Sequence, residues 1–479
     1  MRKQEGYGSA QKIASRDCLN FQAAFHVTPI KLLPSVVYVA LGLATMLPMT
    51  QTVTRPRVVV IGAGFAGINA AKALAKAPMD VTVVDRKNHH TFQPLLYQVA
   101  LAVLSPAEIA SPVRTVLRRS HNTEVLLGEV ISFDLEKRLV HLDDLDLPYD
   151  YLIVAAGATH AYFGHPEWEE FAPGLKTLED ATEIRRRILM AFETAERQAI
   201  AHGTHMPLNF VVVGAGPTGV ELAGAISDIT RQYLSKEFRA MDPRQARIVL
   251  LEGGPRVLPT YPEDLSASAE RQLTQMGIEV RTSAMVTNIE PGVVSVGKEK
   301  IPAAVILWGA GVSASPLGKM LGVPTDKAGR VIVQPDLTVP GHPEVFVSGD
   351  LASAKRSNGQ PVPGVAPAAI QMGKFAARQI KNILAGKPRE KFEYLDKGSL
   401  ATIGRSHAIA DFPGKIHISG YFAWLAWLFV HLLFLVGFRN RFFVLTEWAW
   451  AYITYNHGAR LITEPGEKVL LEKPRAKVG

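Results

Sequence analysis

The sequence predicts an α/β protein with two Rossmann-like dinucleotide-binding domains, the first discontinuous, followed by a C-terminal membrane-associated helical segment. Three observations predict it. The pattern G-x-G-x-x-G occurs twice, at Gly62–Gly67 and Gly214–Gly219, 152 residues apart (214 minus 62). Strand and helix signals alternate from Arg55 onward, the pattern of βαβ units around parallel sheets. A charge-free, aromatic-rich run lies near the C-terminus.

The elements follow in chain order. Residues 1–54 are expected to be a poorly ordered N-terminal extension. Within them "LLPSVVYVALGLATMLPM" (32–49) approaches the length of a spanning helix, interrupted by Pro34, Gly42 and Pro48. A signal peptide fits poorly, because the n-region is long and no small-residue cleavage site follows. A start at Met46 or Met49 is the other reading, since the fold begins at "RPRVVVIGAG". Strand "RVVVIG" (57–62) leads into helix "INAAKALAK" (68–76) and strand "DVTVVDR" (80–86). "DYLIVAAGATH" (150–160) reads as a buried strand. In "LEDATEIRRRILMAFETAERQAI" (178–200), Ile184, Ile188, Phe192 and Ala195 recur at helical spacing on one apolar face. "NFVVVGAG" (209–216), "ARIVLLEGG" (246–254) and "AAVILWGAG" (303–311) supply a second set of strands, and "EVFVSGDLA" (344–352) delivers Gly349 and Asp350 to a site.

"ISGYFAWLAWLFVHLLFLVGF" (418–438) holds 21 residues without Asp, Glu, Lys or Arg. Arg439, Arg441 and the aromatic "FFVLTEWAWAYITYNH" (442–457) come next. Length alone permits a transmembrane helix. The Trp, Tyr and Arg content equally suits helices lying in the membrane interface. A buried core or dimer helix is the third reading.

Composition bounds the function. The chain has 479 residues, 47% hydrophobic and 20% charged, with a net charge of +8. Mean hydropathy is +0.10 and the pI about 9.3. No dense basic stripe or nucleic-acid module accompanies that charge, so anionic lipid is the expected partner and nucleic acid is not. Cys18 is the one cysteine. This excludes an intrachain disulfide and any two-cysteine redox centre, and with them disulfide reductases and cysteine-dependent sulfide oxidases.

In each loop the first glycine makes a tight turn, the second lets a pyrophosphate approach, and the third lets helix pack on strand. The phosphate charge then meets the positive end of a helix. Asp85 ends the next strand 18 residues after Gly67 (85 minus 67), where a ribose hydroxyl needs an acceptor. Glu252 ends the strand after the second loop, 33 residues from Gly219 (252 minus 219). A carboxylate there accepts from the ribose 2′-hydroxyl and repels a 2′-phosphate, so NADH is expected over NADPH. The intervening "DITRQYLSKEFRAMDPRQA" reads as a helix extension. Arg256 reads as a turn residue, with a cation near the cofactor as the alternative. Two loops imply two dinucleotides, and a flavin between a pyridine nucleotide and an acceptor accounts for both. "GVVSVGK" (292–298) mimics a phosphate-binding P-loop, but Glu299 stands where Ser or Thr is required. His89–His90 and His202-x-x-His205 lack a third ligand at metal spacing, so they read as surface or turn residues and no metal is expected.

Seven stretches together resemble the type II NADH dehydrogenases, the non-pumping NADH:quinone oxidoreductases among the two-dinucleotide-binding-domain flavoproteins. They are "GAGFAG" (62–67), "FQPLLYQVALAVLSPAEIASPVR" (92–114), "AAGATHAYFGH" (155–165), "GAGPTGVELAG" (214–224), "VFVSGDLA" (345–352), "VAPAAIQMGKFAA" (365–377) and "WLAWLFVHLLFLVGFRNR" (424–441). The resemblance implies non-covalent FAD on Gly62, Gly64, Gly67 and Asp85, with Gly349 and Asp350 at its ribityl chain. It implies NADH on Gly214, Gly216, Gly219 and Glu252. It implies a quinone site at Ala366, Ala369 and Gln371, within the family's A-Q-x-A-x-Q segment, where Pro367 replaces the first Gln. The implied domains are an FAD domain in two segments, 55–175 and 312–400, an NADH domain at 176–311 between them, and membrane-anchoring helices and tail at 401–479. The segment 418–457 then becomes a monotopic anchor on the cytoplasmic face of the cell membrane, in a homodimer.

The expected reaction passes a hydride from NADH to FAD and two electrons to a membrane quinone, without proton pumping. Glu221, two residues after Gly219, is placed in the first helical turn, facing the crevice between cofactors. It is expected to position groups or relay protons beside Gln371. The bland alternative is an acid complementing the helix dipole. A different function class is a membrane-associated flavoprotein that senses NADH and signals to a partner.

Overall fold

The computed structural model describes residues 55–204, 208–454 and 459–463. The expected extension 1–54, with Cys18 and the apolar run 32–49, lies outside them, as do His205 and the tail from residue 464.

Alternating apolar residues and two glycine turns generate two parallel sheets. The first has the strand order Thr338–Val339, His342–Val347, Tyr151–Val154, Arg57–Ile61, Asp80–Asp85, Thr123–Leu127. All its neighbours are parallel except the Thr338–Val339 edge. The sheet thus draws strands from both sides of the second, whose order is Ile278–Arg281, Arg247–Leu251, Asn209–Val213, Val305–Trp308, parallel throughout. The expected strand 150–160 is two elements. It stops at Val154, turns at Gly157 (φ +67°), and resumes as Ala158–His160, which pairs antiparallel with Val312–Ala314. Those two short strands are the chain's crossings between the sheets.

The helix Leu178–His202 starts on a Thr177/Asp180 capping box and ends at left-handed Gly203. Ile184, Ile188, Phe192 and Ala195 are all buried in the main core, as the periodicity requires. Arg185 on the same helix is buried too. Its guanidinium donates to the carbonyls of Val99, Leu104 and Ala459.

An antiparallel meander, Ser399–Gly404, His407–Phe412 and Ile416–Ser419, packs on the helix Pro217–Asp228. The approach is close enough that a Cβ on Gly224 would stand 1.4 Å from the Ile403 carbonyl oxygen. From the meander the chain enters the helix Tyr421–Phe434, turns through extended Leu435 and left-handed Gly437, and enters Phe438–Thr454. The 21-residue apolar run therefore contains one helix of 14 residues, and the next helix, of 17 residues, begins only at its last residue, Phe438. A span needs about 20. No helix among the described residues is long and apolar enough to cross a membrane.

Candidate functional site

The two glycine loops are built alike. Register Ile61↔Val84 places Asp85 beside the first loop, where its Oδ2 accepts from the Ala63 N–H at 2.6 Å. Register Val213↔Leu251 places Glu252 identically, with Oε2 accepting from Ala215 N–H at 2.7 Å and Oε1 from Gly254 N–H at 2.7 Å. The longer sequence gap is absorbed elsewhere: the helix runs on as a wide turn, Ile229–Tyr233, and short 3-10 turns at Leu234–Lys236 and Pro243–Gln245.

The shape of each loop fits a dinucleotide. A Cβ on Gly62 would stand 2.4 Å from Ala155 O, and one on Gly214 2.4 Å from the Ala310 Cα. On Gly67 and Gly219 it would meet the preceding loop carbonyl at 1.7 and 1.8 Å. At Gly64 and Gly216, by contrast, it would meet nothing within 4 Å. Those middle glycines cap their helices without any side-chain acceptor, and neither first turn holds an acid. Backbone N–H groups and open space are thus left for a diphosphate.

The strand His342–Val347 brings Gly349 and Asp350 to the start of the first nucleotide helix, Phe65–Leu74. A Cβ at Gly349 would lie 3.5 Å from Ala66 and 3.6 Å from Ala369. Asp350, Ala369 and the N-terminal Ala366 of the helix Ala366–Leu384 therefore share one corner with the first loop. Gln371 bonds the backbone of a neighbouring loop. Its Nε2 donates to Leu395 O at 3.0 Å, and its Oε1 accepts from Leu395 N–H at 2.9 Å.

Glu221 is the fifth residue of Pro217–Asp228, not a first-turn acid, so the dipole reading does not apply to it. It lines a cavity of about 530 Å³ beneath the C-terminal helices. Tyr97, Gln98, Asp228, Thr402, Arg405, Trp424, Trp427 and Trp448 are among the other lining residues. Gln371, Ala366 and Ala369 are not. Glu221 and Asp228 are half-buried residues that both line the cavity. Burial pushes Glu221 up to about 8. Burial likewise raises Asp228 to about 7, against the pull of the Arg405 N–H and guanidinium. Burial and the neighbouring Glu221 charge hold the Tyr97 hydroxyl well above its ordinary range. A hydrogen-bond chain spans the roof: Trp448 Nε1 donates to Gln98 Oε1 at 2.7 Å, and Gln98 Nε2 donates to Tyr97 at 2.8 Å. His431 stacks on Trp427 at 4.2 Å, and burial lowers it to about 4, so it is neutral.

Several residues differ from their sequence reading. His90 is buried rather than superficial; its Nδ1 bonds the Ala63 carbonyl at 3.0 Å and its ring meets Phe65 edge-on at 5.1 Å. It braces the first loop, a role with no sequence signal. Asn69 bonds its own helix at Phe65 O. Arg256 closes its own turn onto Pro259 O and Tyr261 O. "GVVSVGK" lies in a β-hairpin, with no helix to seat a phosphate. Nothing local in the sequence marks Tyr97, Gln98, Asp228 or Thr402 as residues of a site.

This arrangement defines a flavoprotein oxidoreductase of the two-dinucleotide class. A family model for pyridine nucleotide-disulphide oxidoreductases matches residues 56–373, and one for the NDH2 C-terminal domain matches 397–455. The chain is 47% identical to the type II NADH:quinone oxidoreductase NdhA of Mycobacterium tuberculosis, over 85% of this chain and 90% of that one. It is 45% identical to Ndh of the same organism, over 87% and 92%. Among solved structures, NDH2 of Plasmodium falciparum in complex with NADH has a similar fold, with a TM-score of 0.77 at 20% identity over 86% of this chain and all of that one. The chain belongs to the pyridine nucleotide-disulphide oxidoreductase family and, within it, to the type II NADH:quinone oxidoreductases. Cys18 precedes the matched region, so the disulfide chemistry in the family's name has no residues here.

Proposed function

We propose that this protein oxidises NADH and reduces a membrane quinone without pumping protons, with FAD on the first loop and NADH on the second. FAD, when bound, supplies hydride acceptance and two-electron transfer. Asp85 and Glu252 orient the two loops and face the ribose ends. His90 stiffens the first loop from behind. The quinone enters the cavity under Tyr421–Phe434 and Phe438–Thr454, where Glu221 holds or donates a proton at its carboxyl. Ala366, Ala369 and Asp350 flank the flavin side, while Gln371 anchors the Leu395 segment.

The observation that carries this reading is the cavity itself. It joins a protonatable carboxyl from the second nucleotide helix to an apolar, aromatic mouth. At and around that mouth Phe422, Phe429, Trp450 and Ile453 are 73, 64, 59 and 76% exposed. Apolar exposure this concentrated marks an interaction surface, and a lipid surface is where a quinone is met. Attachment is monotopic, at the cytoplasmic face where NADH is supplied.

The test is anaerobic mixing of the purified holoenzyme with NADH and then a short-chain quinone. Rapid quinone-dependent reoxidation of the flavin is expected. A long-lived reduced state without turnover would instead favour the NADH-sensing reading.

A further inference from the structure

The second sheet gives a bound dinucleotide two ends. The strand Arg247–Leu251, which leads to Glu252, lies on one side of Asn209–Val213, and Val305–Trp308 lies on the other. With the adenosine ribose at Glu252 and the diphosphate over Gly214–Gly219, the nicotinamide riboside extends over the carboxyl end of Val305–Trp308. There the chain reads Gly309-Ala310-Gly311. This floor lies hard against the loop. Gly309 N–H donates to Val213 O at 2.7 Å, and a Cβ on Gly309 would stand 3.1 Å from the Gly219 Cα.

One aromatic side chain rests on that floor. Phe163 follows the crossing strand Ala158–His160. The segment is fixed by Ala161, whose N–H donates to Gly311 O at 3.2 Å and whose carbonyl accepts from Trp308 Nε1 at 3.0 Å. Tyr162 turns inward, stacking on Trp308 at 5.0 Å and donating to Ala172 O at 2.9 Å. Phe163 turns outward. Its backbone is left-handed, at φ +52°, a conformation that is strained for a bulky aromatic residue. Its ring lies on Gly311, where a Cβ would stand 2.6 Å from the Phe163 Cζ, so only glycine leaves it room. The ring is nevertheless 69% exposed and gains little from burial. Neither the strain nor the exposure serves stability, and both point to a ligand.

We propose that Phe163 is a contact residue for the nicotinamide half of NADH, its exposed ring packing against the riboside at the edge of the Gly309–Gly311 floor. The contact rests on the placing of NADH on the second loop given above. The left-handed backbone and the Tyr162 anchor hold the ring in position before the nucleotide arrives, so little side-chain freedom is lost on binding. The ring limits the positions open to the nicotinamide and shields that end of the site from water. It distinguishes a whole dinucleotide from its adenosine diphosphate half, which ends at the loop.

The test compares purified holoenzyme with Phe163→Gly, Phe163→Leu and Phe163→Tyr. It reads the melting temperature, the rise in melting temperature produced by NAD⁺ or by ADP, and the dependence of flavin bleaching on NADH concentration. Phe163→Gly is expected to melt at or above the wild-type temperature, because glycine adopts the left-handed backbone freely. The NADH concentration that half-saturates bleaching is expected to rise at least about tenfold, and the NAD⁺-induced rise in melting temperature to shrink. Reoxidation of the flavin by quinone stays at the wild-type rate. ADP, which lacks the nicotinamide riboside, stabilises variant and wild type equally. Phe163→Tyr keeps most of the wild-type response. Should Phe163→Gly not fold, Phe163→Leu carries the same test with a smaller loss. A lower melting temperature with an unchanged NADH response marks a purely structural residue and would overturn the proposal. Equal loss of the NAD⁺ and ADP responses would overturn it too. Gly216→Ala separates the wider reading from this one. If Gly216→Ala weakens NADH while Phe163→Gly does not, only the contact fails. If neither weakens it, the placing of NADH on the second loop fails as well.

Discussion

The indole N–H of Trp448 donates to Gln98 Oε1 at 2.7 Å, joining residues 350 positions apart. Through Gln98 this contact reaches the Tyr97 hydroxyl, so the C-terminal helix is pinned to the wall of the cavity it covers. Trp448→Phe leaves a buried amide oxygen unpaired, at a cost of about 1–3 kcal/mol. The expected outcome is a lower melting temperature and a raised quinone KM, with flavin bleaching by NADH unchanged. Differential scanning fluorimetry and steady-state kinetics check it.

Glu221 makes stability depend on pH. Its folded-state pKa of about 8 lies above the unfolded value, so the folded state binds its proton more tightly. Stability is therefore fullest at low pH. It declines as pH rises from about 4.5 through about 8, by up to about 1.4 kcal/mol per unit. Glu221→Gln removes that contribution. The variant should unfold like the wild type near about pH 5 and later than it near about pH 9. Thermal unfolding at both values checks the sign.

The middle glycines separate the two cofactors. A methyl at Gly64 or Gly216 meets no protein atom, so neither change should disturb folding. Each fills the space a diphosphate approaches. Gly64→Ala is expected to purify without flavin absorbance. Gly216→Ala is expected to keep its flavin and raise the KM for NADH at least about tenfold.

Glu252 sets the nucleotide. Its carboxylate is held beside the second loop by Ala215 and Gly254. Like charge opposite a 2′-phosphate costs several kcal/mol. Glu252→Ala should therefore shift the NADH/NADPH ratio of kcat/KM toward NADPH by at least about tenfold, while also weakening NADH.

The exposed aromatics of the last two helices are expected to bind lipid. Replacing Phe422, Phe429 and Trp450 by Ser together should abolish sedimentation with anionic vesicles and leave detergent-phase turnover largely intact.

Much of this architecture is written locally. The glycine loops, Asp85, Glu252 and the apolar face of Leu178–His202 follow from spacing alone, because each is an interaction within one βαβ unit or one helix. The cavity is not local. Tyr97, Glu221, Thr402, Trp427 and Trp448 come from five separate segments that only tertiary packing assembles. His90 shows the same limit: two adjacent histidines look superficial until the strand pairs His90 with Ser111 and its side chain turns inward. A count of apolar residues makes 418–438 long enough to span. Extended Leu435 and Gly437 at φ +92° break it, a backbone event that hydropathy does not register. Gln371 sits at the motif position expected to meet quinone, and its amide also bonds the backbone of Leu395, a contact that nothing local in the sequence signals.

The central claim is that Glu221 acts on the quinone and not on NADH. Stopped-flow spectroscopy of Glu221→Gln tests it by recording flavin reduction by NADH and flavin reoxidation by quinone separately. Reduction at the wild-type rate with reoxidation slowed by roughly tenfold or more is the predicted result. Wild-type rates in both half-reactions, or equal slowing of both, would contradict it.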